Sequence, residues 1–223
     1  MIMPIRPEGG LYIIIALAVA TLLSIASMLY PSLTVRITAV LLWIVVILVI
    51  NFFRDPHRET PVDECNIIAP ADGKIIDIRK VMEESYLKKE VIRVSIFMSI
   101  FDVHVNRAPV AGVIDYMHYN PGEFLPAYRE KASLDNEQMS IGFIRKTENK
   151  EQTKIMIKLI AGLVARRILV WKNLKDTVAQ GERISMIKFG SRAEVYLSPD
   201  SKVLVEVGDR VKAGETIIAK TRE

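Results

Sequence analysis

MIKFGSRAEVYL, residues 186–197, decides how the C-terminal part of this chain is read. It has the pattern of a β-strand, yet Gly190-Ser191 sits near its middle. Glycine weakens a strand interior and often marks a bulge or a close backbone approach. A nucleophile-elbow serine needs G-x-S-x-G between a strand and a helix. Here the order is F-G-S-R-A-E with more strand after it, so an elbow is excluded.

Upstream, the chain reads as short strands from Asn66 onward. Residues 66–79 (NIIAPADGKIIDIR) predict strand, tight turn, strand, with Asp72-Gly73 as the turn signal. Residues 91–98 (VIRVSIFM) are rich in β-branched side chains. Strands follow over 110–119, 138–145 and 154–164, the last two joined by a charged tip, KTENKEQ. Residues 183–197 form a further strand region, and a short helix is expected near 126–134. Residues 202–220 (KVLVEVGDRVKAGETIIAK) carry two turns, Gly208-Asp209 and Ala213-Gly214-Glu215. Their V-G-D-x-V-x-A-G-E-x-I pattern looks like half of the hammerhead fold of biotinyl and lipoyl carrier domains, with IIAPADGKIIDI as a compatible partner. The carrier lysine triplets M-K-M and D-K-A do not occur.

The N-terminal quarter differs. Half of the 223 residues are hydrophobic, and they concentrate there. Residues 11–29 and 37–53 are uncharged apolar runs, long enough or nearly so to cross a bilayer as helices. Tyr30-Pro31-Ser32 supplies a turn, so a helical hairpin is expected over 1–53. A second apolar run directly after the first argues against a cleaved signal peptide. Residues 54–65 (RDPHRETPVDEC) read as a linker, and 66–223 as the catalytic domain. The fold class expected is mostly β (α+β): a compact β-sandwich or hammerhead-like domain behind a two-helix transmembrane hairpin. Arg6, Arg54 and Arg58 flank the hairpin's open end and Arg36 its loop, which favours a cytoplasmic catalytic side at the cell membrane. The single cysteine, Cys65, permits no internal disulfide. Net charge is +4, without a basic run or a row of aromatics, so nucleic acid is not an expected partner.

Among three histidines, His57 lies in the linker and His118 ends a strand. His104 stands in SIFMSIFDVHVNRAPVAG, where Asp102, His104, Asn106 and Arg107 crowd the end of an apolar strand. Taken singly, His104, Asp72 and Ser191 each have a structural explanation.

Together they carry more. FFRDPHRETP (52–61), APADGKI (69–75), FDVHVNRAPVAG (101–112), YNPGEFLPA (119–127), NEQM (136–139), AGLVARRI (161–168) and KFGSRAEVYL (188–197) follow in order. This series resembles the phosphatidylserine decarboxylases in their short bacterial and archaeal form. The resemblance implies a proenzyme that cuts itself at Gly190-Ser191 into chains 1–190 and 191–223. Ser191 would become a covalent pyruvoyl group, the cofactor that forms a Schiff base with the substrate amine. His104 would serve as base and Asp72 as its orienting carboxylate, in the manner of serine hydrolases. The reaction implied is loss of CO2 from phosphatidylserine, or from archaetidylserine, to give the ethanolamine phospholipid. A membrane lipid is thus the expected substrate, and a homodimer of processed units the expected assembly.

Some longer family members carry a second histidine three positions after the first, where this chain has Arg107. Arg166 and Arg167 are candidates for the lipid phosphate, and Phe124 with Leu125 for entering the bilayer or gating the site. No metal ligand set is expected. Two competing readings are a membrane-tethered hammerhead carrier or adaptor without catalysis, and a membrane serine hydrolase using Ser191, His104 and Asp72.

Overall fold

The computed structural model describes residues 4–30, 32–122, 136–146, 152–162, 167–188 and 191–221. The chain divides into two compact units, 1–57 and 58–223.

The first unit is a helical hairpin, α1 (Gly10–Leu29) and α2 (Leu33–Phe52). Both helices are long and apolar enough to cross a membrane by length and composition. Large apolar side chains such as Leu11, Ile14, Leu22, Ile37 and Ile47 are exposed on them. A surface of that kind is stable in hydrocarbon, where a helix satisfies its own backbone polar groups. Trp43 Nε1 donates to Ser24 Oγ at 3.1 Å and ties α2 to α1. At the open end Arg6 N–H donates to the Phe53 carbonyl (2.9 Å) and Asp55 N–H to that of Pro4 (2.8 Å). The helix expected from 37 begins at Leu33 and includes Arg36, because a charge within the first turn does not interrupt backbone hydrogen bonding; Arg36 N–H already donates to the Ser32 carbonyl.

The second unit is mostly β. Among the described residues its strands are β1 (Asn66–Ile68), β2 (Gly73–Glu83), β3 (Lys89–Met98), β4 (Val105–Arg107), β5 (Gly112–Asn120), β6 (Gln138–Lys146) and β7 (Gln152–Ala161). They continue with β8 (Ile168–Val170), β9 (Thr177–Val178), β10 (Arg183–Ile187), β11 (Ser191–Leu197), β12 (Lys202–Val203), β13 (Arg210–Val211) and β14 (Ile217–Lys220). One long curled sheet runs β13-β2-β3-β11-β7-β6-β5-β9, with two small sheets, β1-β14-β12 and β4-β10-β8. All pairings are antiparallel. The core lies between them: Ile96, Ile141, Ile157 and Val195 of the long sheet pack in one cluster with Ile67, Ile184 and Ile218 of the small ones.

The stretch 66–79 is not the expected hairpin. β1 pairs with β14, whereas β2 pairs with β3 and β13. Asp72-Gly73 therefore turns the chain from one sheet into another. Gly73 is required by close approach, since a Cβ there would run into the Phe97 carbonyl oxygen. The hammerhead-like likeness has a physical basis in two interlocked segments. Gly214 N–H donates to the Ala69 carbonyl and Ala69 N–H to that of Thr216; Gly208 N–H donates to the Ile75 carbonyl and Ile75 N–H to that of Asp209. The short helix expected near 126–134 lies outside the described residues.

Candidate active site

The strand region 183–197 is two strands in two sheets. β10 pairs with β4 and β8; β11 lies between β3 and β7 in the long sheet. β10 ends at Ile187 in one sheet, and Ser191 is the first residue of β11 in the other. Gly190 itself lies outside the described residues.

Ser191 is fully buried. Its strand partners are Met98 of β3 and Ala161 of β7, and its Oγ donates to Met98 Sδ at 3.1 Å. Side chains alternate along a strand, so Ser191 shares the core-facing side with Ala193, Val195 and Leu197. Arg192, Glu194 and Tyr196 face the other way and form a buried polar network. Arg192 Nη2 lies 3.0 Å from both Glu194 Oε1 and Ser95 Oγ, and Tyr196 OH donates to Glu194 Oε2 at 2.6 Å. Burial and the adjacent Glu194 carboxylate push the Tyr196 phenol well above its ordinary range.

The NEQM segment supports the same place. Asn136 Nδ2 donates to the Ala161 carbonyl at 2.6 Å, and Ala161 N–H donates to the Glu137 carbonyl at 2.9 Å. Those bonds hold the β7 neighbour of Ser191.

His104 is fully buried just before β4. Its carbonyl accepts the Ile187 N–H at 3.2 Å, which sets it beside the end of β10, four residues before Ser191. Four residues of extended chain span at most about 14 Å. His104 Nδ1 lies 2.9 Å from the Asp102 carbonyl oxygen. A carbonyl only accepts, so Nδ1 carries the proton and Nε2 is the basic nitrogen of the neutral ring.

Asp72 reaches the same region through Gly73, whose neighbour Phe97 precedes Met98. Among the described residues the hydrogen bonds of Asp72 go to groups other than His104. Asp72 Oδ2 accepts from Arg58 Nη2 at 2.7 Å, and Oδ1 accepts from Ala213 N–H at 2.8 Å. The imidazole meets the Asp102 backbone carbonyl. Burial raises the Asp72 carboxyl above its ordinary value and the nearby Asp102 adds to this, while Arg58 and the Ala213 N–H oppose it. Asp102 is itself fixed: its Oδ2 accepts from Ser99 N–H and Oγ at 2.8 and 2.6 Å, and its Oδ1 meets Arg210 Nη1 at 3.2 Å.

Arg107, three positions after His104, is buried and donates from Nη1 to the Gly181 carbonyl at 2.9 Å, a bond that braces the chain entering β10. Arg167 is exposed, and its carbonyl accepts the Lys188 N–H at 3.4 Å. Arg166, Phe124 and Leu125 lie outside the described residues.

The order and spacing of these elements coincide with a known group. The family model described as phosphatidylserine decarboxylase matches residues 45–219. The chain belongs to the phosphatidylserine decarboxylase family. It is 40% identical over 220 residues to a phosphatidylserine decarboxylase proenzyme of Syntrophotalea carbinolica, covering 96% of this chain and 95% of that protein. It is 48% identical over 165 residues to one of Syntrophus aciditrophicus, covering 74% and 76%. The family is one of decarboxylases, so the chain is a lyase rather than a non-catalytic carrier module.

Sequence reasoning gave no site role to Arg58, and placed Asp102 only in the polar cluster around His104. Arg58 had been counted among the charges flanking the membrane. It is instead buried in the second unit, bridging Asp72 and, at 3.3 Å, Glu215. Its signal was its place inside the R-D-P-x-R-x-x-P motif. Arg58→Met leaves Asp72 buried without its cation, a change that costs on the order of 3 kcal/mol. Denaturation of the full chain in detergent, followed by fluorescence, should show that loss. The deficit relative to wild type should shrink as pH falls and Asp72 becomes neutral. A deficit that does not change with pH would place the effect elsewhere.

Proposed function

We propose that this chain decarboxylates the serine headgroup of a phospholipid, phosphatidylserine or archaetidylserine, and makes its own catalytic group by cutting itself between Gly190 and Ser191. The observation that carries the reading is a sealed serine at the point where the chain changes sheets, with a buried, oriented histidine alongside the preceding strand. Ser191 Oγ attacks the Gly190 carbonyl carbon. His104 Nε2 takes the hydroxyl proton and returns it to the departing amide nitrogen, so the peptide C–N bond breaks as an ester forms. Loss of the Ser191 Cα proton then breaks the ester C–O bond and leaves the Gly190 carboxylate. Addition of water and departure of ammonia convert residue 191 to a ketone.

The residues around position 191 fit a pyruvoyl group. The thioether that the hydroxyl contacts is a weak acceptor, so its removal sacrifices little, and Met98 and Ala161 offer apolar walls. When present, that group supplies an electron sink for the bond to the departing carboxylate. His104 would return a proton to the substrate carbon. The hairpin is read as the membrane anchor, and Arg6 and Arg54 against Arg36 favour a cytoplasmic catalytic unit.

The test is CO2 release from vesicles containing phosphatidylserine labelled at the serine carboxyl. Release that stops on treatment with a carbonyl reagent is expected. A cut chain that releases no CO2 from either the diacyl or the ether-linked lipid would overturn the reading.

A further inference from the structure

Arg145 follows Met139, Ile141 and Phe143 on the core-facing side of β6 and is only 4% exposed. A guanidinium carries five donors. Here Nη2 reaches Thr221 Oγ1 at 3.1 Å, Nη1 lies 3.4 Å from the Asn66 carbonyl, and Nε is buried without a partner. Among the described residues no carboxylate stands within ion-pair distance of it. A buried charge ordinarily has such a partner.

Arg145 lines a cavity of about 560 Å³, with Val62, Ala111, Val113 and Ile144 as apolar wall and Asp63 and Glu64 also contributing. That volume is typical of small-molecule sites. Asp63 and Glu64 are exposed, and their charges act on Arg145 from a distance. A simple anion entering past them would be repelled; a molecule that also carries an ammonium would not. The cavity is remote from Ser191. Arg145 pairs with Thr153 on β7, eight residues from Ala161, or about 26 Å along the strand.

We propose that this cavity binds a compact zwitterion, its phosphate or carboxylate on Arg145 and its ammonium toward Asp63 and Glu64. Aminophosphates, free or as a lipid headgroup, have that chemistry. The site would be a second one, separate from the reacting centre, and its occupancy does not depend on cleavage.

The experiment uses the full Ser191→Ala chain in detergent, which cannot be cut, so failure here is distinct from failure of the self-cleavage reading. Calorimetric titrations use O-phosphoethanolamine, inorganic phosphate and a short-chain phosphatidylethanolamine. O-Phosphoethanolamine should bind, and Arg145→Met should weaken it roughly 10- to 100-fold, the loss expected for hydrogen bonds to a charged group. The surface pair Asp63→Asn with Glu64→Gln should weaken the aminophosphate while leaving inorganic phosphate unchanged or tighter. Binding of the short-chain lipid as well supports the site with a headgroup as occupant; binding of the free aminophosphate alone supports it with a soluble one. Binding of neither overturns the proposal, as does binding that survives Arg145→Met or a preference for inorganic phosphate.

Discussion

Intact-mass measurement of the purified chain is expected to give two fragments, 1–190 and 191–223, while Ser191→Ala gives one. The smaller fragment should be lighter by one ammonia than a peptide beginning with serine, because the hydroxyl and amine are replaced by a ketone. The effect is all-or-none, since no other group in the described site can supply the attacking oxygen: Met98 and Ala161 flank Ser191 in the sheet. Ser191→Ala changes one buried atom beside a thioether, so the fold should survive and the unfolding midpoint should barely move. Ser191→Cys provides the complementary arm, a nucleophile in the same place. An uncut wild-type chain under conditions where CO2 is released would sink self-cleavage while sparing the decarboxylase assignment. A serine-started small chain would show hydrolysis instead of elimination, and the hydrolase reading would gain.

His104→Ala should slow processing about a hundred- to ten-thousand-fold, the usual contribution of a positioned general base. The ring is fully buried, with Nδ1 on the Asp102 carbonyl, so it is presented in a single tautomer. Asp72→Asn should slow processing less. It removes a charge but leaves the imidazole on the Asp102 carbonyl, and an amide oxygen can still accept from the Ala213 N–H. A purely structural role for His104 would lower the unfolding midpoint in proportion to the lost processing. The catalytic role predicts processing lost with native circular dichroism retained. Wild-type processing rates in His104→Ala would remove it from the chemistry. The ordering of the two variants tests which group orients the ring, the backbone of Asp102 or the side chain of Asp72.

Much of the fold was legible because strands and apolar helices have short-range signatures. Residues 91–98 announce β3 through β-branched side chains, and the two uncharged runs announce α1 and α2. The failures are at connections. Asp72-Gly73 carries a hairpin signal, but nothing local says that β1 finds its partner in β14, about 150 residues later. Residues 183–197 look like one strand, since a change of sheet leaves no periodicity to read. Arg58 shows the same limit. Its charge was visible, but whether it faced water, lipid or Asp72 depended on a contact across 14 residues.

The order of motifs and the apolar runs, by themselves, determined the family and the two apolar helices, and pointed to Ser191 as the residue to test, because each rests on residue type and spacing. Only the tertiary structure decided what surrounds them. It placed Ser191 on the core face between Met98 and Ala161, set His104 opposite Ile187, gave Asp72 to Arg58 and Ala213, and buried Arg145 against a cavity. Those are contacts between segments far apart in the chain. They follow from which sheet faces close on one another to exclude water, a property of the whole fold that no short stretch of sequence encodes.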